Sequence, residues 1–376
     1  MSLKQILADL VAINSVSSVS NAPIINYLDE RCTSLGFTTR RYSYVDENGL
    51  DKINLVAVVG TELSEVTEVE LALVGHTDTV PFDPHWEEAL TLTERDGRLY
   101  ARGSCDTKGF IAAALLAVER ADLKNLKGSL ALVFTSDEEI GLRGAKFLAD
   151  LNALRPRYSI VGEPTSLQPS RAGKGYSLAE VVVRGREAHS AYPSLGASAV
   201  FRAARLINRL EQLAEQLKAD QHPDFDPSYT TINVGLVRGG TAKNVIAGEC
   251  RFTVEWRPIP SQPSDLVFNL MNDAIAEERK TDAHFDAELR LERLDSGFET
   301  GTDSRVVSLL EHLTEKRAGT VAFGTEAAHM TVLGSEAIVI GPGDIREAHR
   351  TGEFVPVDEL ERCSEIILQA VSELCG

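Results

Sequence analysis

Four apolar segments of this chain run directly toward histidine or acidic residues. "LALVG" (71–75) leads to His76, "SLALVF" (129–134) to Asp137, Glu138 and Glu139, "YSIVG" (158–162) to Glu163, and "EAIVIGPGD" (336–344) toward His349. Helical stretches lie between them, the clearest being "GFIAAALLAVERA" (109–121). Strands that are apolar at successive positions need cover on both faces, and intervening helices supply it, so the pattern predicts a parallel sheet. In such sheets, sites form beyond the carboxyl ends of the strands. The polar residue at each strand end is therefore where chemistry is to be sought.

Between about 175 and 290 the pattern changes. "YSLAEVVVRG", "TTINVGLVRGG" and "CRFTVEWRP" alternate or read as exposed-sheet strands, while "ASAVFRAARLINRLEQLAEQL" (197–217) and "SDLVFNLMNDAIAEERK" carry apolar residues at helical spacing. The order strand, helix, two strands, helix, strand suits an α+β ferredoxin-like sandwich. The expected fold is thus α/β, with a parallel-rich sheet covered by helices over 1–174 and 291–376 and an inserted sandwich domain over 175–290. At 376 residues the chain is long enough for both bodies.

The formal charge of -18 argues against a nucleic-acid partner, since such binding depends on Lys and Arg neutralising phosphates. The opening "MSLKQILADLVAIN" places Lys4 and Asp9 among apolar residues and reads as an amphipathic helix, not a signal peptide. The longest apolar run, "FIAAALLAV" (110–118), is too short to span a bilayer. No membrane association and a cytoplasmic location are expected. The five cysteines (Cys32, Cys105, Cys250, Cys363, Cys375) show no CxxC or CxxH spacing, so a metal here must be held mainly by histidine and carboxylates.

The strand-end residues form a set: His76 and Asp78 in "VGHTDTVP", Asp106 in "RGSCDTKGF", Glu138 and Glu139 in "SDEEIG", Glu163 in "VGEPT", His349 in "GPGDIREAH". Each alone has an ordinary explanation: Asp106 as a helix cap, Glu163 as a turn acid, His349 as a surface residue. Together, recurring at strand ends, they suit two divalent cations, which repel and need a shared carboxylate plus anionic or imidazole ligands on each. Asp106 is the natural bridge, His76 and Glu163 complete one site, and Glu139 and His349 the other. Asp78, two residues past His76 in an extended segment, is placed to accept the imidazole's second N–H. Glu138 is left free to take a proton from water and deliver it to a leaving amine. Asp137 is expected to be structural.

These motifs, with "GREAHSAYP", "KNVI", "EWRPIP" and "GTEAA", give the chain a whole-length resemblance to the dinuclear zinc amidohydrolases and peptidases. The resemblance implies a zinc-peptidase-like catalytic domain, the ligand roles just given, and two Zn2+ per subunit, with Co2+ a possible substitute. It also implies a homodimer formed through the inserted domain, in which His189 of "AHS" reaches the partner's site as an oxyanion donor. By the same resemblance Asn244 and Arg257 bind substrate, Arg257 pairing with an α-carboxylate. Within the family "VGEPTSLQP" and "GTEA" look most like enzymes acting on N-acetyl-L-ornithine. The expected reaction is its hydrolysis to L-ornithine and acetate in arginine biosynthesis, with Glu326 or a neighbouring acid meeting the cationic side chain. N-acetylcitrulline, N-succinyl-diaminopimelate and peptides are the alternative substrates. A catalytically inactive binding homologue would show a damaged ligand set, and every position is filled here. Cys105 departs from the small apolar residue usual before the bridging aspartate. His85, His222, His284 and His312 have no motif support, while His329 follows "GTEAA" closely enough to line the pocket.

Overall fold

In the computed structural model, which describes residues 1–376, the principal strands are, in chain order, β1 (Thr38–Val45), β2 (Asp51–Val59), β3 (Thr67–His76), β4 (Leu130–Thr135), β5 (Leu154–Val161), β6 (Tyr176–Arg184), β7 (Thr231–Gly239), β8 (Glu249–Arg257), β9 (Asp286–Asp295) and β10 (Glu336–Val339). The chain divides into two units. Unit one holds Met1–Ala172, Glu299–Gly319 and Thr325–Gly376, and unit two holds Gly173–Phe298 and Thr320–Gly324.

In unit one the large sheet runs β1-β2-β4-β3-β5-β10. Strands β4, β3, β5 and β10 are mutually parallel, with His76 opposite Thr135 and Val74 opposite Val161. The antiparallel β1–β2 pair forms the outer margin. Every residue of β4 is buried, as its unbroken apolar sequence requires.

The central helix Lys108–Arg120 is buried along nearly its whole length up to Val118. It packs between the N-terminal helix Leu3–Ala12 and the C-terminal helix Val357–Cys375. The N-terminal helix starts at Ser2, whose hydroxyl accepts from the Gln5 N–H at 3.2 Å, and buries Leu3, Ile6, Leu7, Leu10 and Val11 at helical spacing. Its last carbonyls are met by the buried Lys108 ammonium, which donates to Leu10 and Ile13 at 3.0 and 2.9 Å. Where β5 ends, Gly162 lies so close to the central helix that a Cβ there would come within 2.2 Å of the Phe110 ring. Glycine therefore lets the chain cross that helix and deliver Glu163 to the strand-end rim.

Unit two is a four-stranded antiparallel sheet, order β7-β8-β6-β9, with helices Ala199–Leu217 and Leu266–Thr281 on one face. Alternation along β8 buries Cys250, Phe252, Val254 and Trp256 against Ala203, Leu206, Leu210, Met271 and Ile275. The helix Ala199–Leu217 is capped by the Ser198 hydroxyl. No helix of the chain is long and apolar enough to cross a membrane.

Candidate metal centre

The four parallel strands of unit one deliver their charges to one rim. β3 ends on His76, β4 passes into Ser136–Glu139, β5 into Glu163, and β10 into the loop that carries His349. Asp106 comes from the turn before the central helix, and its peptide to Thr107 is cis. Its two oxygens face different imidazoles: Oδ1 lies 2.9 Å from His76 Nε2 and Oδ2 lies 3.2 Å from His349 Nε2. His349 Nε2 is also 3.0 Å from Glu139 Oε2. Ligand atoms of His76, Asp106 and Glu139 all lie within 4.8 Å of one another.

The electrostatics are those of a site with too much buried negative charge. Burial favours the neutral form of Asp106, but hydrogen bonds from His349 and His76 outweigh it and hold its carboxyl far below the usual range. The bonds to Asp106 and Glu139 push His349 up to about 10. His76 rises as well: burial opposes its cation, yet Asp106, Glu138 and Asp78 around it prevail. Burial, reinforced by the neighbouring carboxylates, raises Glu138, Glu139 and Glu163. Two imidazoles cannot neutralise these acids. A set of imidazole and carboxylate donors in this arrangement fits divalent transition-metal ions, which would take the place of the protons.

The acidic turn after β4 is held from behind. Asp137 has left-handed backbone (φ 54°), and its carboxylate takes the buried Lys52 ammonium at 2.8 Å and the Tyr44 hydroxyl at 2.7 Å. The Asp78 carboxylate accepts the Glu138 N–H at 3.0 Å, the Glu139 N–H at 3.3 Å and the Ser17 hydroxyl at 2.7 Å. The imidazole N–H of His76 is met differently from the expectation. Its Nδ1 lies 3.0 Å from the Asp78 main-chain carbonyl, whereas the Asp78 carboxylate oxygen is 3.7 Å away. The backbone turn after β3 supplies the acceptor itself, which frees the Asp78 side chain to grip the amides of the acidic turn.

Glu326 is buried, 1% exposed, with one oxygen bonded to the Thr135 hydroxyl and the other without a hydrogen-bond partner. Burial pushes its carboxyl up to about 7. That placement sets Glu326 beside the strand residue opposite His76. Cys105 is buried with its Sγ 3.6 Å from the Asp344 carbonyl. A Cβ on Gly343 would fall 2.4 Å from that sulfur, so the thiol fills space against a glycine. Burial raises its pKa, which removes thiolate chemistry. His85, His284 and His312 are exposed.

His189, Asn244 and Arg257 lie in unit two. His189 is exposed and bridges to Val245, while the Ser190 N–H donates to the Asn244 carbonyl at 3.0 Å, so two loops are joined there. His189 Nδ1 accepts the Ala191 N–H at 3.1 Å, which leaves Nε2 as the outward donor of the neutral ring. Arg257 is held by Glu255 at 2.8 Å and stacks 4.6 Å over Tyr176, whose ring also carries Arg293 at 4.6 Å. The buried Lys174, whose ammonium donates to the Tyr229 carbonyl at 2.7 Å, adds a further cation whose pKa is lowered by burial and by Arg257. Neither Tyr176 nor Lys174 is conspicuous in "KGYS", where an aromatic and a lysine read as ordinary strand-start residues.

Comparison with known proteins places this geometry among relatives. A family model described as peptidase family M20/M25/M40 matches residues 72–373. An acetylornithine deacetylase from Myxococcus xanthus is 52% identical over 375 residues, covering 100% of this chain and 98% of the relative. One from Proteus mirabilis is 34% identical over 383 residues, covering 99% and 96%. Among solved structures, a tripeptidase from Staphylococcus aureus superposes with a TM-score of 0.79 at 24% identity, covering 99% of this chain and 97% of its own. A Bacillus subtilis protein described as a dinuclear metal-binding peptidase gives 0.69 at 14% identity, covering 99% and 97%. At those identities the structural likeness bears on fold alone.

Proposed function

Because this chain belongs to peptidase family M20/M25/M40 and is a metal-dependent amidohydrolase, we propose that it hydrolyses N-acetyl-L-ornithine to L-ornithine and acetate, a step of arginine biosynthesis. Two zinc ions, or cobalt in their place, would be held by His76, Asp106 and Glu163 and by Asp106, Glu139 and His349. The observation that carries this reading is the disposition of Asp106, whose two oxygens face His76 at 2.9 Å and His349 at 3.2 Å as a bridging carboxylate must.

Bound there, such ions acidify water and polarise an acyl carbonyl. The chain does the rest. Glu138, the acid of the turn hydrogen-bonded neither to an imidazole nor to Lys52 and Tyr44, takes the water's proton and returns it to the leaving amine. Asp78 fixes the backbone of Glu138, and Lys52 with Tyr44 holds the carboxylate of Asp137 before it. Arg257 pairs with the substrate's α-carboxylate, preorganised on Tyr176. Asn244 lies beside His189 in the joined loops and contacts the substrate with it.

The protein acts as a homodimer through unit two. Edge strand β7 exposes Leu236 and Val237, each 55%, and Phe201, Leu195 and Tyr192 of the same unit are 74%, 64% and 62% exposed. An unpaired edge and exposed apolar side chains of this kind call for cover by a second copy. His189 of the partner subunit then donates its Nε2–H to the developing oxyanion.

The test is kcat/KM on zinc-loaded enzyme for N-acetylornithine, N-acetylcitrulline, N-succinyl-diaminopimelate and a dipeptide. N-acetylornithine should lead. Preference for the succinylated substrate or the dipeptide overturns the substrate assignment without touching the metal centre.

A further inference from the structure

A second buried carboxylate stands behind the first. Glu353 is 0% exposed, and its Oε1 accepts two backbone N–H groups at once, from Cys105 at 3.0 Å and from Asp106 at 3.1 Å. Its Oε2 accepts from the Arg102 guanidinium at 2.5 Å. Arg102 is itself 3% exposed, donates to the Pro81 carbonyl at 3.3 Å and lies 5.5 Å from the centroid of the Trp86 ring. Neither the ligand assignment nor the base uses any of these groups.

The position of Glu353 gives the cluster its meaning. It lies four residues beyond His349 on the same loop, while the amides it grips belong to the bridging Asp106 and its neighbour. A short ladder continues the join, with Phe354 opposite Tyr100 and Val355 opposite Leu99, and the Ala101 N–H bonds to the Glu353 carbonyl at 3.2 Å. On the other side of His349, the Cys105 sulfur meets the Asp344 carbonyl. His349 itself has left-handed backbone (φ 61°) and a side chain 50% exposed, so its own packing does little to hold it. The 3.2 Å separation of His349 from Asp106 is therefore set by how its loop docks on residues 101–106.

We propose that Glu353 is a positioning residue of the metal centre, clamping the Cys105–Asp106 amides to the loop that carries His349. Hydrogen bonds from buried amides to a carboxylate oxygen are directional, and the Arg102 guanidinium holds the other oxygen in place, favouring the charged form against the burial that raises the carboxyl. Displacing the clamp moves Asp106 and His349 relative to each other without removing a ligand.

The inference rests on the dinuclear reading, and the experiment separates the two. Metal-free wild type and Glu353→Gln, both checked for native circular dichroism, are titrated with Co2+ while the visible absorption of the bound ion is recorded. Glutamine keeps the size but cannot accept on both sides, since one end is now a donor facing Arg102 or the amides. Wild type should bind two ions; fewer would remove the dinuclear reading itself. With two ions in wild type, Glu353→Gln should bind cobalt about 10- to 100-fold more weakly at one or both sites, with a shifted absorption spectrum. Affinities within twofold and an unchanged spectrum overturn the proposal, even if thermal stability falls, because a purely structural carboxylate would alter only stability. Should Glu353→Gln fail to fold, Arg102→Gln takes its place, since it leaves both amide bonds but loosens the anchor. Weakened cobalt binding in that variant supports the clamp, and unchanged binding and spectrum overturn it.

Discussion

The most discriminating substitution is Asp78→Asn, because the role expected from sequence and the role seen in the structure predict opposite outcomes. An aspartate that orients the His76 imidazole would, on substitution, weaken metal binding, typically by roughly 10- to 100-fold. In the structure the His76 N–H is met by the Asp78 main-chain carbonyl at 3.0 Å, which the substitution leaves in place. What changes is the acceptor for Glu138 N–H at 3.0 Å, Glu139 N–H at 3.3 Å and the Ser17 hydroxyl at 2.7 Å. Asparagine offers one uncharged oxygen where two charged ones now serve these donors. Losing at least one bond to a charged group costs about 1.5–3 kcal/mol. If that energy holds Glu138 in its working position, kcat falls by about 10- to 150-fold, at roughly 1.4 kcal/mol per factor of ten. Turnover of N-acetylornithine measured beside metal content by elemental analysis decides it. The expected result is two metals per chain and a lowered kcat. A wild-type kcat, or a loss fully recovered by raising the zinc concentration, refutes the reasoning.

Lys52→Met should destabilise unit one by about 3–5 kcal/mol in calorimetry, the usual cost of removing one member of a buried ion pair, since Lys52 and Asp137 are each 1% exposed; a change below about 1 kcal/mol would show that the pair holds nothing. Metal loading should expel protons, because in the metal-free protein the bonds to Asp106 and Glu139 push His349 up to about 10 and His76 is raised too, and only neutral rings bind metal. Affinity should accordingly rise with pH, until about pH 10 for His349, and calorimetry in buffers of different ionisation enthalpy should find at least one proton released per chain; none released contradicts the apo electrostatics. Mixing inactive His189→Ala and Glu138→Ala subunits should restore part of the activity, since one site of a mixed dimer holds both residues; no recovery under verified subunit exchange rules out a shared site.

Much of the fold was legible because strand ends advertise themselves. "LALVG" before His76 and "SLALVF" before the acidic turn lie in β3 and β4, and the switch to alternating strands after 175 marks the sandwich of unit two. The candidate ligands stood out for the same reason: each charge alone has an ordinary explanation, but their recurrence at successive strand ends does not. The supporting residues were not. Tyr44 is 93 residues from Asp137, and Glu353 is 247 from Asp106, with no local spacing rule linking them. Only the register of the folded chain brings them together. Asp78 misled for a related reason, since its spacing from His76 fixes its face but not whether the imidazole finds the side chain or the main-chain carbonyl. The burial of Glu326 was not legible either, since its position after "GT" gives no sign of it. The β1 margin strand carries Arg, Tyr and Thr at most positions, so no apolar run flags it.

The central claim, a two-metal hydrolase whose proton carrier is Glu138, is tested most directly by zinc-loaded Glu138→Gln. Glutamine preserves the shape of the turn and both backbone bonds to Asp78 while removing the basic oxygen. The predicted result is two zinc ions per chain, an N-acetylornithine KM close to wild type and a kcat lower by roughly 10²- to 10⁴-fold. A kcat within a few-fold of wild type, with both metals in place, would contradict it.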